Sequence, residues 1–242
     1  LTLGDIPDDY DLSSSQRLQI ASELTNKVTI NKKGINEFLD TLYYPLYFLD
    51  FETFMSAVPI FDGTRPYQQV PFQYSLHVLE DENAELKHYE FLAKEGIDQR
   101  EELIKNLTSI IPDEVCVMVY NMTFEKRILR ELSEQFPSYK NKLMSIHENI
   151  LDLMAPFQKK DYYTKEMKGS YSLKFVLPAL LPRLTYEGMA ISDGGDAMNA
   201  YATLHLLEDK KEVKQVRKAL LEYCKLDTFA MVKILEILIR SV

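Results

Sequence analysis

The stretch Tyr44–Phe54, YPLYFLDFETF, decides the fold. Tyr44-Pro45 punctuates the chain, and Leu46–Phe51 is then a compact apolar run of strand length. Asp50 ends the run LYFLD, and Glu52 follows two residues on. Residues two apart on a strand share a face, so both carboxylates point the same way. Two like charges at the end of a buried strand are costly without a counter-charge. A divalent cation removes that cost, and paired carboxylate oxygens suit Mg²⁺ or Mn²⁺. Taken alone, the pair fits a blander account better, with Asp50 capping a turn and Glu52 exposed.

Downstream, Val70–Leu79 (VPFQYSLHVL) is aromatic and β-branched, with Pro71 pushing the strand to begin after it. Glu80–Asn83 is a polar turn, and Glu85–Ala93 alternates as a third strand. Three such strands in a row read as an antiparallel meander. Helical spacing follows over Gln99–Ile111, stopped by Pro112. Glu114–Tyr120 (EVCVMVY) is a near-continuous apolar run, as in a strand covered on both faces. Helices are expected over Phe124–Phe136, Lys140–Glu148, Leu173–Leu181, Ala197–Glu208 and Glu212–Ile239. Upstream, Ser13–Ser15 caps a short helix, and Asn36–Leu42 is another. The expectation is an α/β domain over residues 44–242, preceded by an N-terminal helical segment over residues 1–43.

Two further acids interrupt apolar patterns. Glu125 lies in the first turn of the helix after EVCVMVY, where the helix dipole alone would welcome it. Asp227 falls in the apolar stripe Val213, Val216, Leu220, Tyr223, Ala230, Ile234 of the last helix. A charge on a buried face needs a partner, and Tyr223 one turn earlier projects beside it.

The 242 residues carry 37 acidic against 28 basic side chains, a net charge of −9. That argues against holding nucleic acid by bulk electrostatics, though not against an acidic metal site. Cys116 and Cys224 are far apart in apolar surroundings, with no CxxC, and read as buried inert thiols in a reducing cytoplasm. His77, His88, His147 and His205 are scattered, none at ligand spacing from another. No run reaches the ~18 apolar residues a membrane span needs. The sequence shows no GxSxG, P-loop, GxGxxG after a strand or HExxH.

DFET at one strand end, YNxxFE at the next and YxxxD on the last helix occur in that order. The set resembles the three motifs of the DEDD superfamily of 3′–5′ exonucleases, over roughly residues 44 to 240. The flanking wording (VPFQYSLHV, GSYSLKFVLPAL, LLEYCKLDTFAM) is similar to a bacterial family of unknown function within that superfamily. The resemblance implies a ribonuclease H-like mixed sheet, antiparallel meander plus parallel strands, flanked by helices. It implies Asp50, Glu52, Glu125 and Asp227 as ligands for two Mg²⁺ or Mn²⁺ ions. Tyr223 matches the subclass in which Tyr, rather than His, positions the attacking water. The second-motif acid is usually Asp; Glu125 is one methylene longer. Asp152 matches a further acid of the pattern, or else caps a helix. Asn121 opens the second motif as a substrate contact.

The implied activity is hydrolysis at the 3′ end of single-stranded DNA or RNA. The segment Gln158–Lys174 sets five lysines against two acids, with tyrosines between. Lys159, Lys160, Tyr163, Lys168 and Lys174 are therefore candidate substrate contacts, against the alternative of a mobile solvated loop. Pro59–Gln69 reads as a flap carrying Arg65 as a phosphate candidate. The start at Leu1 without Met suggests a piece of a longer chain with other domains. The alternative function is a non-catalytic nucleic-acid-binding or interaction module of a larger repair or defence protein. Two divalent ions at the four acids would leave about −5 of the −9, which suits a short grip on one strand end.

Overall fold

A computed structural model describes residues 3–7 and 9–242; Leu1, Thr2 and Asp8, part of the expected N-terminal segment, lie outside the described residues. In chain order the elements are α1 (Ser14–Thr25), β1 (Thr29–Ile30), α2 (Lys32–Leu39), β2 (Leu46–Phe54), β3 (Val70–Leu79), β4 (Lys87–Leu92), α3 (Arg100–Ile110) and β5 (Cys116–Val119). They continue with α4 (Met122–Gln135), α5 (Lys140–Glu148), β6 (Ile150–Asp152), α6 (Ala155–Gln158), β7 (Tyr162–Tyr163), α7 (Leu173–Leu180), α8 (Gly194–Leu204) and α9 (Lys210–Arg240). The chain forms two compact units: Leu1–Leu42 with Leu153–Thr185 and Lys233–Val242, and Tyr43–Asp152 with Tyr186–Val232.

The second unit is built on a five-stranded sheet of order β4-β3-β2-β5-β6. β2, β3 and β4 are the antiparallel meander, while β5 and β6 add parallel to β2. This mixed sheet flanked by helices has the expected ribonuclease H-like layout. β2 is central because its residues are apolar on both faces, so both must be covered. Tyr47, Leu49 and Phe51 face a core completed by Leu103, Leu107, Ile128 and Leu132 of α3 and α4. Phe48, Asp50 and Glu52 face the opposite way, as period-two geometry requires. Cys116–Val119 is wholly buried, as its composition suggests.

Pro71 lies inside β3 rather than before it. The register jumps from Glu52↔Gln73 to Thr53↔Pro71, leaving Phe72 as an extra residue. Pro has no N–H to give the ladder, and the bulge absorbs that loss within a few residues of Glu52.

The first unit includes a two-stranded antiparallel sheet, Thr29↔Tyr163 and Ile30↔Tyr162. α1 opens with a capping box in which Ser13 and Gln16 bond each other's backbone amides. α2 begins four residues earlier than its apolar spacing suggests. Gly34 sits inside it because a Cβ there would stand 2.2 Å from Asp161 Oδ1. That carboxylate accepts from Asn31 Nδ2 at 2.7 Å, fixing the start of the helix.

Candidate metal centre

All four expected carboxylates belong to the second unit, and β2 supplies the first two. Asp50 and Glu52 project from the face of β2 away from the α3–α4 core and meet Cys224 of α9. One donor atom from each of the three lies within 4.8 Å of the others. Cys224 Sγ donates to Asp50 Oδ2 at 3.4 Å. Glu52 is buried, whereas Asp50 keeps a window to solvent although protein surrounds it closely. α8 starts beside this pair, since a Cβ on Gly194 would lie 3.9 Å from Glu52 Oε2.

Glu125 and Asp227 join at longer range. Burial raises the Asp50 carboxyl well above the usual carboxylate range, and the Asp227 charge raises it further. Burial and then the Asp50 charge do the same to Glu125. Glu125 is almost fully enclosed in the first turn of α4, and its Oε2 has no hydrogen-bond partner. Asp227 is buried on α9 in line with Leu220, Tyr223, Ala230 and Ile234, as the stripe anticipates. Burial raises the Tyr223 hydroxyl pKa, and the Asp227, Glu52 and Asp50 charges add to the shift, so it stays protonated at neutral pH.

The donor set therefore fits divalent cations. Its oxygens are hard, its acidic groups are all of one kind, and Glu125 Oε2 is a buried acceptor without a hydrogen-bond donor. Asp50, Glu52, Glu125 and Asp227 are the residues that would hold them.

Other expected contacts are placed differently. Asp152, at the end of β6, accepts from the backbone amides of Asn121 and Met122 at 2.9 and 3.0 Å. It caps α4 from the neighbouring strand, because Asn121 at the N-cap makes no side-chain cap bond of its own. Asn121 has φ +77, a left-handed conformation that Asn tolerates better than most residues, and it is exposed. Arg65 is exposed and pairs with Glu131 at 3.1 Å. Its segment is tied to α3 by the Arg100–Asp62 carbonyl bond and to α4 by Arg127–Gln69.

Lys159, Lys160, Tyr163, Lys168 and Lys174 belong to the first unit. Lys159, Lys168 and Lys174 are exposed. Lys160 and Tyr163 are buried instead, the ammonium 4.4 Å from the ring centroid, so burial removes both from the exposed set. Gly169 N–H donates to the Tyr163 hydroxyl at 3.2 Å. This segment is folded into β7 and a 3₁₀ turn rather than being a solvated loop.

Two participants escape sequence reading. Tyr186 donates from its buried hydroxyl to Asp227 Oδ1, and its ring lies 5.8 Å from that of Tyr223. It sits outside any periodic element, so no spacing marks it. Cys224 is buried as expected, but against Asp50 rather than in purely apolar surroundings. Its neighbour Tyr223 and its place on α9 were the available signal. His77 and His88 are also brought together, facing each other across the β3–β4 ladder with ring centroids 4.5 Å apart.

Residues 47–172 match the model of a domain of unknown function, DUF2779. The chain belongs to that family. The match holds Asp50, Glu52, Glu125 and Asp152, while Tyr186, Tyr223, Cys224 and Asp227 follow it. The chain is 28% identical over 208 residues to "Uncharacterized protein MG366 homolog" of Mycoplasma pneumoniae, covering 77% of this chain. It is also 28% identical over 209 residues to "Uncharacterized protein MG366" of Mycoplasma genitalium. Both of these relatives are bacterial. The chain spans only 31% of the length of these relatives. No solved structure matches the chain. Among the described residues, no helix is long and apolar enough to cross a membrane.

Proposed function

We propose that the protein is a metal-dependent nuclease of the DEDD 3′–5′ exonuclease type, acting on the 3′ end of single-stranded DNA or RNA. The observation that carries this reading is the meeting of the Asp50 and Glu52 carboxylates within 4.8 Å on one face of β2, with Glu125 and Asp227 buried in the same unit and their charges bearing on Asp50. Such a cluster is unfavourable unless it holds cations, and two divalent ions held by carboxylates suit in-line phosphodiester displacement.

Two Mg²⁺ or Mn²⁺ ions, when bound, would activate water and offset charge developing on the phosphate. Asp50 and Glu52 hold their side of the site on a rigid central strand. Glu125 supplies the opposing carboxylate from the first turn of α4. Asp227 completes the set, oriented by the Tyr186 hydroxyl. Tyr223, kept neutral by burial and its acidic neighbours, offers an O–H to orient the attacking water. Asn121 and Arg65, exposed within the same unit, are the candidate contacts to the strand.

The test uses 3′-labelled single-stranded DNA and RNA with Mn²⁺, for wild type, Asp50→Asn and Asp227→Asn. Mn²⁺-dependent release of the labelled nucleotide, lost with chelator and reduced to background in both variants, is the expected result. Absence of metal-dependent product, or undiminished product in both variants, rejects the reading. It would leave a non-catalytic module of a larger protein, in keeping with the greater length of the relatives.

A further inference from the structure

Cys224 stands where a fifth oxygen ligand would be unremarkable. We propose that its thiol makes this centre a binding site for a thiophilic divalent cation, Zn²⁺ or Cd²⁺, held by Asp50, Glu52 and Cys224 together. The geometry is already close. In a tetrahedral site with Zn–S about 2.3 Å and Zn–O about 2.1 Å, sulfur and oxygen donors stand about 3.6 Å apart. Cys224 Sγ lies 3.4 Å from Asp50 Oδ2, and all three donors fall within 4.8 Å.

A second observation points to a ligand. Glu125 Oε2 is buried without a partner, and the Asp50 charge is the largest acting on Glu125. An unused buried acceptor thus stands in the field of Asp50, and water would complete the coordination of a cation held by the three donors. On binding, the Sγ–H bond breaks, its proton leaves to water, and an Sγ–metal bond forms. The hydrogen bond from the thiol to Asp50 Oδ2 is lost, freeing that oxygen for the same cation. Sulfur raises affinity for soft and borderline cations while adding little for Mg²⁺, which takes oxygen. Thiophilic ions at this position would occupy the carboxylates that the proposed reaction needs, and so inhibit it. The binding claim itself does not depend on nuclease activity.

The experiment is titration of metal-free protein with Cd²⁺, following thiolate-to-cadmium charge-transfer absorption in the ultraviolet. Wild type and Cys116→Ser are expected to develop the band at one equivalent, because Cys116 lies on β5 outside the donor group. Cys224→Ser is expected to show no band and to bind Cd²⁺ at least about tenfold more weakly. X-ray absorption of Zn²⁺-loaded wild type needs no variant, and should show one sulfur ligand at about 2.3 Å. No band in wild type, a band retained in Cys224→Ser, or a zinc shell without sulfur overturns the proposal. An inactive protein that shows the band refutes only the nuclease reading; an active one without it refutes only this inference.

Discussion

Asp227 is approached by two tyrosines, and they do different work. Tyr186 donates to Oδ1 from a buried position, which fixes the carboxylate's orientation. Tyr223, one turn earlier on α9, is the O–H that the proposed nuclease reaction would use. Tyr186→Phe removes one hydrogen bond and leaves the ring packing. Outer partners of metal ligands typically contribute about 10–100-fold in metal affinity. We expect Tyr186→Phe to raise the Mn²⁺ midpoint by that order, read from metal-induced shifts of the melting temperature, while Tyr223→Phe leaves the midpoint near wild type and lowers turnover. Asp50→Asn acts oppositely on stability. It removes the charge that both Asp227 and Glu125 oppose. The metal-free variant should melt higher than metal-free wild type, by about 2–4 °C for each kcal/mol relieved in a chain of this size. Calorimetry with chelator checks it, and an unchanged or lower midpoint would count against the strained cluster.

The α4 N-terminus shows how neighbouring elements share one task. Asp152 on β6 caps α4 through two backbone amides, and Glu125 lies in the turn so capped. Asp152→Ala should cost about 0.5–2 kcal/mol, the range for loss of an N-cap. Urea unfolding would show a lower midpoint with an unchanged slope. If Asp152 serves only as a cap, Asp152→Asn restores most of the loss and leaves Mn²⁺ affinity alone. The elements themselves were largely legible. The meander is local in sequence, and the two-faced apolar run of β5 announces a covered strand. The four acids stood out because each broke an apolar pattern. What was not legible depends on contacts distant in sequence. β1 and β7 are two residues each and pair across more than a hundred positions. The start of α2, four residues before the apolar spacing begins, rests on Gly34, whose missing Cβ leaves room for Asp161. Lys160 looked like a surface cation because its burial against Tyr163 has no periodic signature.

At the scale of the whole molecule, two sets of buried groups pull stability in opposite directions with pH. His77 is lowered to about 3 and His88 to about 4, chiefly by burial. Each takes up its proton more readily when unfolded, so their contribution is present above the ordinary histidine pKa of about 6.5 and is lost as pH falls toward 3–4. Asp50 and Glu125 are raised, so their folded forms hold protons longer than the unfolded chain does. Their contribution is present below the ordinary carboxylate pKa of about 4 and is lost as pH rises through the raised values. A divalent cation acts on the second set alone, because it needs the carboxylates ionised. Subtracting the melting temperature in chelator from that in Mn²⁺ cancels the histidines, which are the same in both. The difference should be near zero at pH 4 and widen steadily as pH rises, since a cation bound only by the folded state stabilises more as its affinity grows. In Asp50→Asn it should stay nearly flat, and in His77→Gln it should follow wild type although both absolute curves become less sensitive to acid. A difference that does not grow with pH in wild type would mean that the carboxylates do not act together on one cation site.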